Sequence, residues 1–226
     1  MRLVFYGLEK PIEIEPGRAT VLQVENQALF TRICTSLISG EGECALEPYS
    51  LWEGDEEARP AGVFLVVESP LSLPWGDKAL VGEVMKRFEK MLLEDEDLRG
   101  GIDGAARCIS SGIASLGFSM HAGYGFDIEW DVRKFIKAFG FGIDRSQQDS
   151  LLDSLIDFVS MALDADLKKV ILFINLKTFL TEKELSALYE HIFYSGLSVL
   201  MLENVRDDRI FEFEAKRVVD QYFLES

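Results

Sequence analysis

Two short apolar runs near the end of the chain, "VILFIN" at 170–175 and "LSVLMLE" at 197–203, bracket a helical pattern and constrain the fold more than any other feature. Each run is far too short to span a membrane, and each is apolar on nearly every residue, as in strands buried on both faces. Between them, Thr181 and Glu184 stand at capping-box spacing, apolar residues follow at helical intervals, and Gly196 supplies a stop signal. Two strands joined by a helix in this way pair in parallel through a right-handed crossover. The chain is therefore α/β.

Further strand patterns lie at the opposite end. "RLVFYG" and the alternating "PIEIEP" read as a hairpin, "TVLQVE" as the next strand, and "GVFLVVES" as a buried one. After "TVLQVE", Leu29, Ile33 and Leu37 repeat at helical spacing up to Gly40. Residues 40–60, rich in Gly, Pro and Glu, read as an acidic surface loop with room for one short strand, and the tail "RIFEFEAKRVVDQYFLES" can add edge strands.

The middle of the chain is different in kind. From "PLSLPWGD" onward four helical patterns follow with little strand signal. The first runs from an Asp77 cap to Leu93, with Val81, Val84, Phe88 and Leu92 inward; "EDEDLRGGIDG" reads as a break before "AARCISSGIASLG". A third covers Asp131 to Phe139, with Val132, Phe135, Ile136 and Phe139 inward, and a fourth covers about 146–164, with Ser146 and Asp149 at cap spacing. The expected organisation is an α/β sheet domain from residues 1–69 and 167–226, interrupted by an all-α insertion from 70 to 166.

The strand-turn-helix "TVLQVENQALFTRICTSLI" has the layout of a phosphate-binding loop. Such a loop needs glycines for close backbone approach and a lysine for the phosphate charge, and Glu25-Asn26-Gln27-Ala28 offers neither. "VILFIN" ends in Asn175 where a magnesium-binding acid would stand, although Glu203 and Glu68 end other strands. Nucleotide hydrolysis is not expected. Gly117-Phe118-Ser119-Met120-His121 nearly spells a nucleophile elbow, but a helical pattern precedes it where the elbow requires a strand.

Charge narrows the partners without settling them. A net charge of −16 repels polyanions overall, yet screening over about 8 Å leaves room for a local basic lining. Arg133, Lys134 and Lys137 fall within about 100° of arc on one helix face and could meet a phosphate backbone. Lys86, Arg87 and Lys90 form a second group, with Glu83 and Glu94 nearby as intrahelical partners. Asp127, Glu129 and Asp131 alternate, so an extended segment would put three carboxylates on one face, as a calcium site could use; the plainer reading makes Asp131 a helix cap. Three cysteines without a CxxC pair argue for reduced thiols. No apolar run reaches the about 18 to 20 residues of a membrane span, and the first residues do not form a signal peptide, so a cytoplasmic location is expected.

Three segments together resemble a known family. "RLVFYGLEKPIEIEPGRATVLQVENQALFTRI", "FDIEWDVRKFIKAFGFGI" and "VILFINLKTFLTEKELSALYEHIFYSGLSVLMLE", in this order and spacing, are similar to the CRISPR-associated spacer-acquisition ring protein of type II-A systems. The resemblance implies a head domain with a degenerate P-loop-NTPase-like sheet, an inserted all-α leg, and assembly as a homotetrameric ring. It implies no enzymatic activity and no nucleotide, but binding of double-stranded DNA ends alongside the CRISPR adaptation integrase and effector nuclease, with Ca2+ between head and leg. On this resemblance DNA contacts are expected at Arg133, Lys134 and Lys137, then at Lys86, Arg87, Lys90 and Arg32, and metal contacts at Asp127, Glu129 and Asp131. Two rivals stay open at this point: a nucleotide- or metal-dependent enzyme using Glu203 or Glu68, and a protein-interaction scaffold.

Overall fold

The computed structural model describes residues 1–124, 131–138, 140, 142–143 and 150–226. The protein is a mixed α/β chain of two compact units, Met1–Asp77 with Arg145–Ser226, and Lys78–Asp144. The division falls at residue 77, and the helix at 151–164, expected in the insertion, lies in the unit that holds the sheets.

In that unit, β1 (Arg2–Phe5), β2 (Ile12–Glu13), β4 (Tyr49–Glu53) and β5 (Glu56–Ala58) form an antiparallel sheet in the order β2-β1-β4-β5. β3 (Ala19–Val24), β6 (Phe64–Val67), β7 (Val170–Ile174), β8 (Val199–Glu203) and β9 (Glu214–Val219) form a second sheet, parallel throughout, in the order β6-β7-β8-β3-β9. The period-2 alternation of a strand divides the side chains of the central strands between two cores. Leu22, Val24, Leu172, Leu200 and Leu202 pack with Leu3, Phe5, Tyr49 and Leu51 of the first sheet and with Leu29, Ile33 and Leu37 of α1 (Gln27–Ser39). The intervening residues, among them Val21, Ile171, Phe173 and Met201, are also buried. On that side α5 (Leu151–Asp164) packs on α6 (Glu182–Ser195), with Ser160 Oγ 3.0 Å from His191 Nε2, and α6 lies against β3.

The local signals explain the boundaries. Thr181 Oγ1 accepts the Glu184 N–H, and the Glu184 carboxylate accepts the Thr181 N–H at 2.8 Å, so the capping box closes in both directions. Gly196 and Gly40 end their helices in the left-handed conformation, at φ 66° and 69°, which L side chains adopt only with strain. The hairpin β4–β5 lies in the segment expected to be an acidic loop: Tyr49, Ser50 and Leu51 are buried against β1, and only their flanks are acidic.

The second unit contains α2 (Lys78–Glu94), α3 (Glu96–Gly117) and α4 (Val132–Ala138). The expected break at 94–104 is reduced to one residue. Asp95 caps α3 by accepting the Leu98 N–H at 2.8 Å, Glu96 and Asp97 favour its N-terminus, and the helix runs on through Gly100, Gly101 and Gly104. The inward stripe of α2 is only partly covered: Leu80 and Met85 on its two flanks are buried, Val81, Val84 and Leu92 are half-buried, and Phe88 is exposed. Val132, Phe135 and Ile136, expected to be buried, line an open apolar groove of about 430 Å³ with Phe88, Met91 and Ile109. Among the described residues no helix is long and apolar enough to cross a membrane.

Candidate nucleic-acid interface and the carboxyl edge of the parallel sheet

The turn between β3 and α1 lies at the carboxyl edge of a parallel sheet, the position where such folds bind ligands. Its residues are engaged with the chain itself. The Asn26 side chain caps α1, accepting the Leu29 N–H at 3.0 Å, and its amide donates to the Gln221 carbonyl at 3.3 Å. Glu25 pairs with Arg206 at 3.5 Å. A helix N-terminus attracts anions through its unsatisfied N–H groups, and here a side-chain oxygen already takes one of them beside a carboxylate.

The neighbouring strand ends hold a buried ionic network that the sequence reading did not foresee. Glu203, 1% exposed, accepts the Lys177 N–H at 3.0 Å and so caps the turn that follows β7. It is a structural acceptor, while Glu68 is exposed at the end of β6. Asn175, at φ 53°, accepts the Asn204 N–H through Oδ1 at 3.1 Å. Lys177, with 5% of its side chain exposed, donates to Asp207 Oδ2 at 3.1 Å, pairs with Glu214, and lies 5.4 Å from the centre of the Phe211 ring. Tyr189 donates to Glu214 at 3.2 Å, Lys216 approaches Glu214 at 3.3 Å, and Arg209 approaches Asp207 at 2.7 Å. Together these bonds hold residues 204–213, the irregular connection between β8 and β9.

Burial pushes the Glu203 carboxyl up to about 7, against hydrogen bonds from the Lys177 and Leu176 backbone that pull it down. Burial acts on Asp207 in the same direction, but bonds from Arg209 and Lys177 outweigh it and hold that carboxyl well below its usual range. The two groups act in separate pH windows. Asp207 lends stability that is lost only in acid, as pH falls below its unfolded value near 3.8. Glu203 holds its proton longer in the folded state, so its contribution is complete below about pH 4.5 and fades as pH rises through about 7. Replacing Glu203 by glutamine should therefore flatten the fall in stability between those values, by on the order of 2–3 kcal/mol. Urea midpoints at pH 5 and 8 measure this; an unchanged difference between them would refute the assignment.

The cations expected to meet DNA differ in how they are held. Lys86 pairs with Glu83 at 2.6 Å and Lys90 with Glu94 at 3.8 Å, while Arg87 is exposed beside them. Arg32 donates to Glu47 at 2.9 Å, and the Glu47 N–H donates to Ser36 Oγ at 2.8 Å, so Arg32 ties α1 to the approach to β4. Arg133 is gripped by both oxygens of Glu89, through Nε and Nη2. Lys134 and Lys137 are exposed, and among the described residues neither has a carboxylate partner.

Of the three acids expected at a metal site, Asp127 and Glu129 lie outside the described residues. Asp131 caps α4, its Oδ1 accepting the Arg133 N–H at 2.8 Å and the Lys134 N–H at 3.1 Å. Among the described residues no three His, Cys, Asp or Glu side chains gather as a metal site. Ser119 and His121 follow α3 in an exposed turn, so no strand delivers the serine as an elbow would require. Cys34 is buried, which pushes its thiol up to about 12.

Residues 49–223 match the family model of the CRISPR-associated protein Cas_Csn2. The chain is 25% identical, over 226 residues, to the CRISPR-associated protein Csn2 of Enterococcus faecalis, with 99% of this chain and 97% of that one covered. Among solved structures, Stu0660 of Streptococcus thermophilus is similar in fold, with a TM-score of 0.58 at 14% identity over 97% of this chain and 74% of that one.

Proposed function

The chain belongs to the CRISPR-associated Csn2 family, and within that antiviral role we propose that it binds the ends of double-stranded DNA, without enzymatic activity, as a ring-shaped homotetramer that supports spacer acquisition. The observation that carries this reading is the pair Lys134 and Lys137, exposed on α4 with no carboxylate partner among the described residues. Cations not neutralised within the chain are the ones that can release counterions from a phosphate backbone. Lys86, Arg87 and Lys90 extend the basic surface at a modest cost, since exposed pairs of the Lys86–Glu83 kind are worth only about 0.2–1 kcal/mol.

The parallel sheet serves in this reading as a degenerate P-loop head. Asn26 caps its own helix, Glu25 would repel a triphosphate, and Glu203 is committed to the turn after β7. These features disfavour the rival in which Glu203 carries magnesium for hydrolysis. The helical unit serves as the leg, and the proposed partners are the CRISPR adaptation integrase and effector nuclease, together with three further copies of the chain.

Calcium enters through the family resemblance. Carboxylate oxygens of the Asp127, Glu129 and Asp131 kind suit that ion, and the cap on α4 uses Oδ1 of Asp131, leaving Oδ2 outside it. The test is a binding assay with linear duplex and covalently closed circular duplex, each with calcium and with a chelator. Linear DNA should be preferred, and chelation should weaken its binding. Equal affinity for the two topologies would overturn threading onto ends, and indifference to chelator would remove the metal.

A further inference from the structure

Arg133 was expected to touch phosphate, yet its guanidinium is held by a carboxylate from another helix. Glu89 on α2 accepts from both Nε and Nη2 of Arg133 on α4, the bidentate fork that guanidinium groups also use for phosphate. Half of the Arg133 side chain is exposed, and so is about a quarter of that of Glu89 (50% and 26%). The pair is therefore open to competition from solvent. Lys137 is one helical turn beyond Arg133, about 40° around α4, so both side chains serve the same face.

We propose that Glu89 is an internal phosphate mimic, which occupies Arg133 in the free protein and yields it to a DNA phosphate on binding. This rests on the DNA-binding reading above and adds a regulated contact to it. A carboxylate and a phosphate oxygen pair present the same two acceptors to the fork, so exchange conserves hydrogen bonds at the guanidinium. The released Glu89 turns to solvent, since Lys86, three residues earlier on α2, is already held by Glu83. The exchange lowers the affinity of the free protein for scattered anions while keeping Arg133 available to a polyanion whose other phosphates are already bound by Lys134 and Lys137.

A double-mutant cycle on the full chain tests this, with a short blunt linear duplex as probe and salt varied between about 50 and 200 mM. E89Q should tighten binding about three- to fivefold, the reciprocal of an exposed pair lost on binding, and leave the log–log salt slope nearly unchanged, because Arg133 meets phosphate with or without Glu89. The same substitution on an R133Q background should change neither. R133Q alone, which breaks the pair from the other side, should lose about one unit of slope; a larger loss would mean that the pair holds α4 in place, and the mimic would be wrong. Weaker binding by E89Q, or equal tightening in both backgrounds from bulk charge alone, would also overturn it. If the unmodified chain does not bind linear duplex, the DNA-binding reading fails and the mimic with it; if it binds and the cycle is additive, only the mimic fails.

Discussion

Replacing Lys177 by methionine should destabilise the fold by about 3 kcal/mol, a large fraction of the about 5–15 kcal/mol available to a domain of this kind. Lys177 and Glu214 have 5% and 2% of their side chains exposed, so each ion has given up nearly all of its water. Removing the ammonium leaves the Glu214 carboxylate buried with, among the described residues, the Tyr189 hydroxyl and Lys216, and leaves Asp207 with Arg209 and Lys216. These remaining partners are the reason to expect the low end of the about 3–5 kcal/mol typical of a broken buried pair. The methionine side chain fills much of the same volume, so the loss reports charge more than packing. Adding Glu214→Leu should recover a large part of it, because an apolar pair needs no compensation. Urea denaturation measures both variants through the midpoint at an unchanged slope. A loss under about 1 kcal/mol for K177M would show that the ammonium is solvated in the native state and that residues 204–213 are held by other means.

The features legible in the sequence are those encoded locally. The parallel β-helix-β unit at 170–203 follows from two apolar runs and a capping box whose hydrogen bonds join residues three apart, Thr181 and Glu184. Gly40 marks the end of α1 for the same reason, a cap being a contact within one turn, whereas Asn26, read only as part of a turn without phosphate-binding residues, caps its start. The β4–β5 hairpin escaped because Tyr49, Ser50 and Leu51 are too few to show a period, and the partner strand that buries them is over forty residues away. The continuity of α3 escaped because each glycine costs about 1 kcal/mol in a helix and three together read as a stop. The cap at Asp95 and the acids after it outweigh that signal.

At the candidate sites the same distinction applies. The cations on α4 were visible as a face, but Glu89 is 44 residues from Arg133, and no periodicity links an arginine to a carboxylate on another helix. No pattern in the sequence links Lys177, Asp207 and Glu214; only the topology that places β9 beside β3 and folds 204–213 across brings them together. Hydrophobic patterning reports which face is buried. It does not report which charges are buried with it.

Neutralising Lys134 and Lys137 together should weaken linear-duplex binding about 60-fold for a single engaged protomer near 0.1 M salt. Each phosphate contact releases about 0.9 of a counterion, which at that salt favours binding by a factor of about 8, and two contacts multiply. The log–log salt slope should become shallower by about two, and the loss should be uniform across sequences, because phosphate contacts carry no base information. Thermal stability should hardly change, since among the described residues neither lysine is neutralised by a carboxylate. Arg32 supplies the contrast. Its guanidinium is bound to a Glu47 whose side chain is only 11% exposed, so Arg32→Gln should lower stability and leave the salt slope alone. If K134Q/K137Q left the slope unchanged, the phosphate contacts would not lie on α4, and the Lys86, Arg87 and Lys90 face of α2 would be the next place to test. If instead Arg32→Gln changed the slope, Glu47 would release its arginine to DNA, and the line drawn between cations that hold the fold and cations that face phosphate would have to move into the first unit.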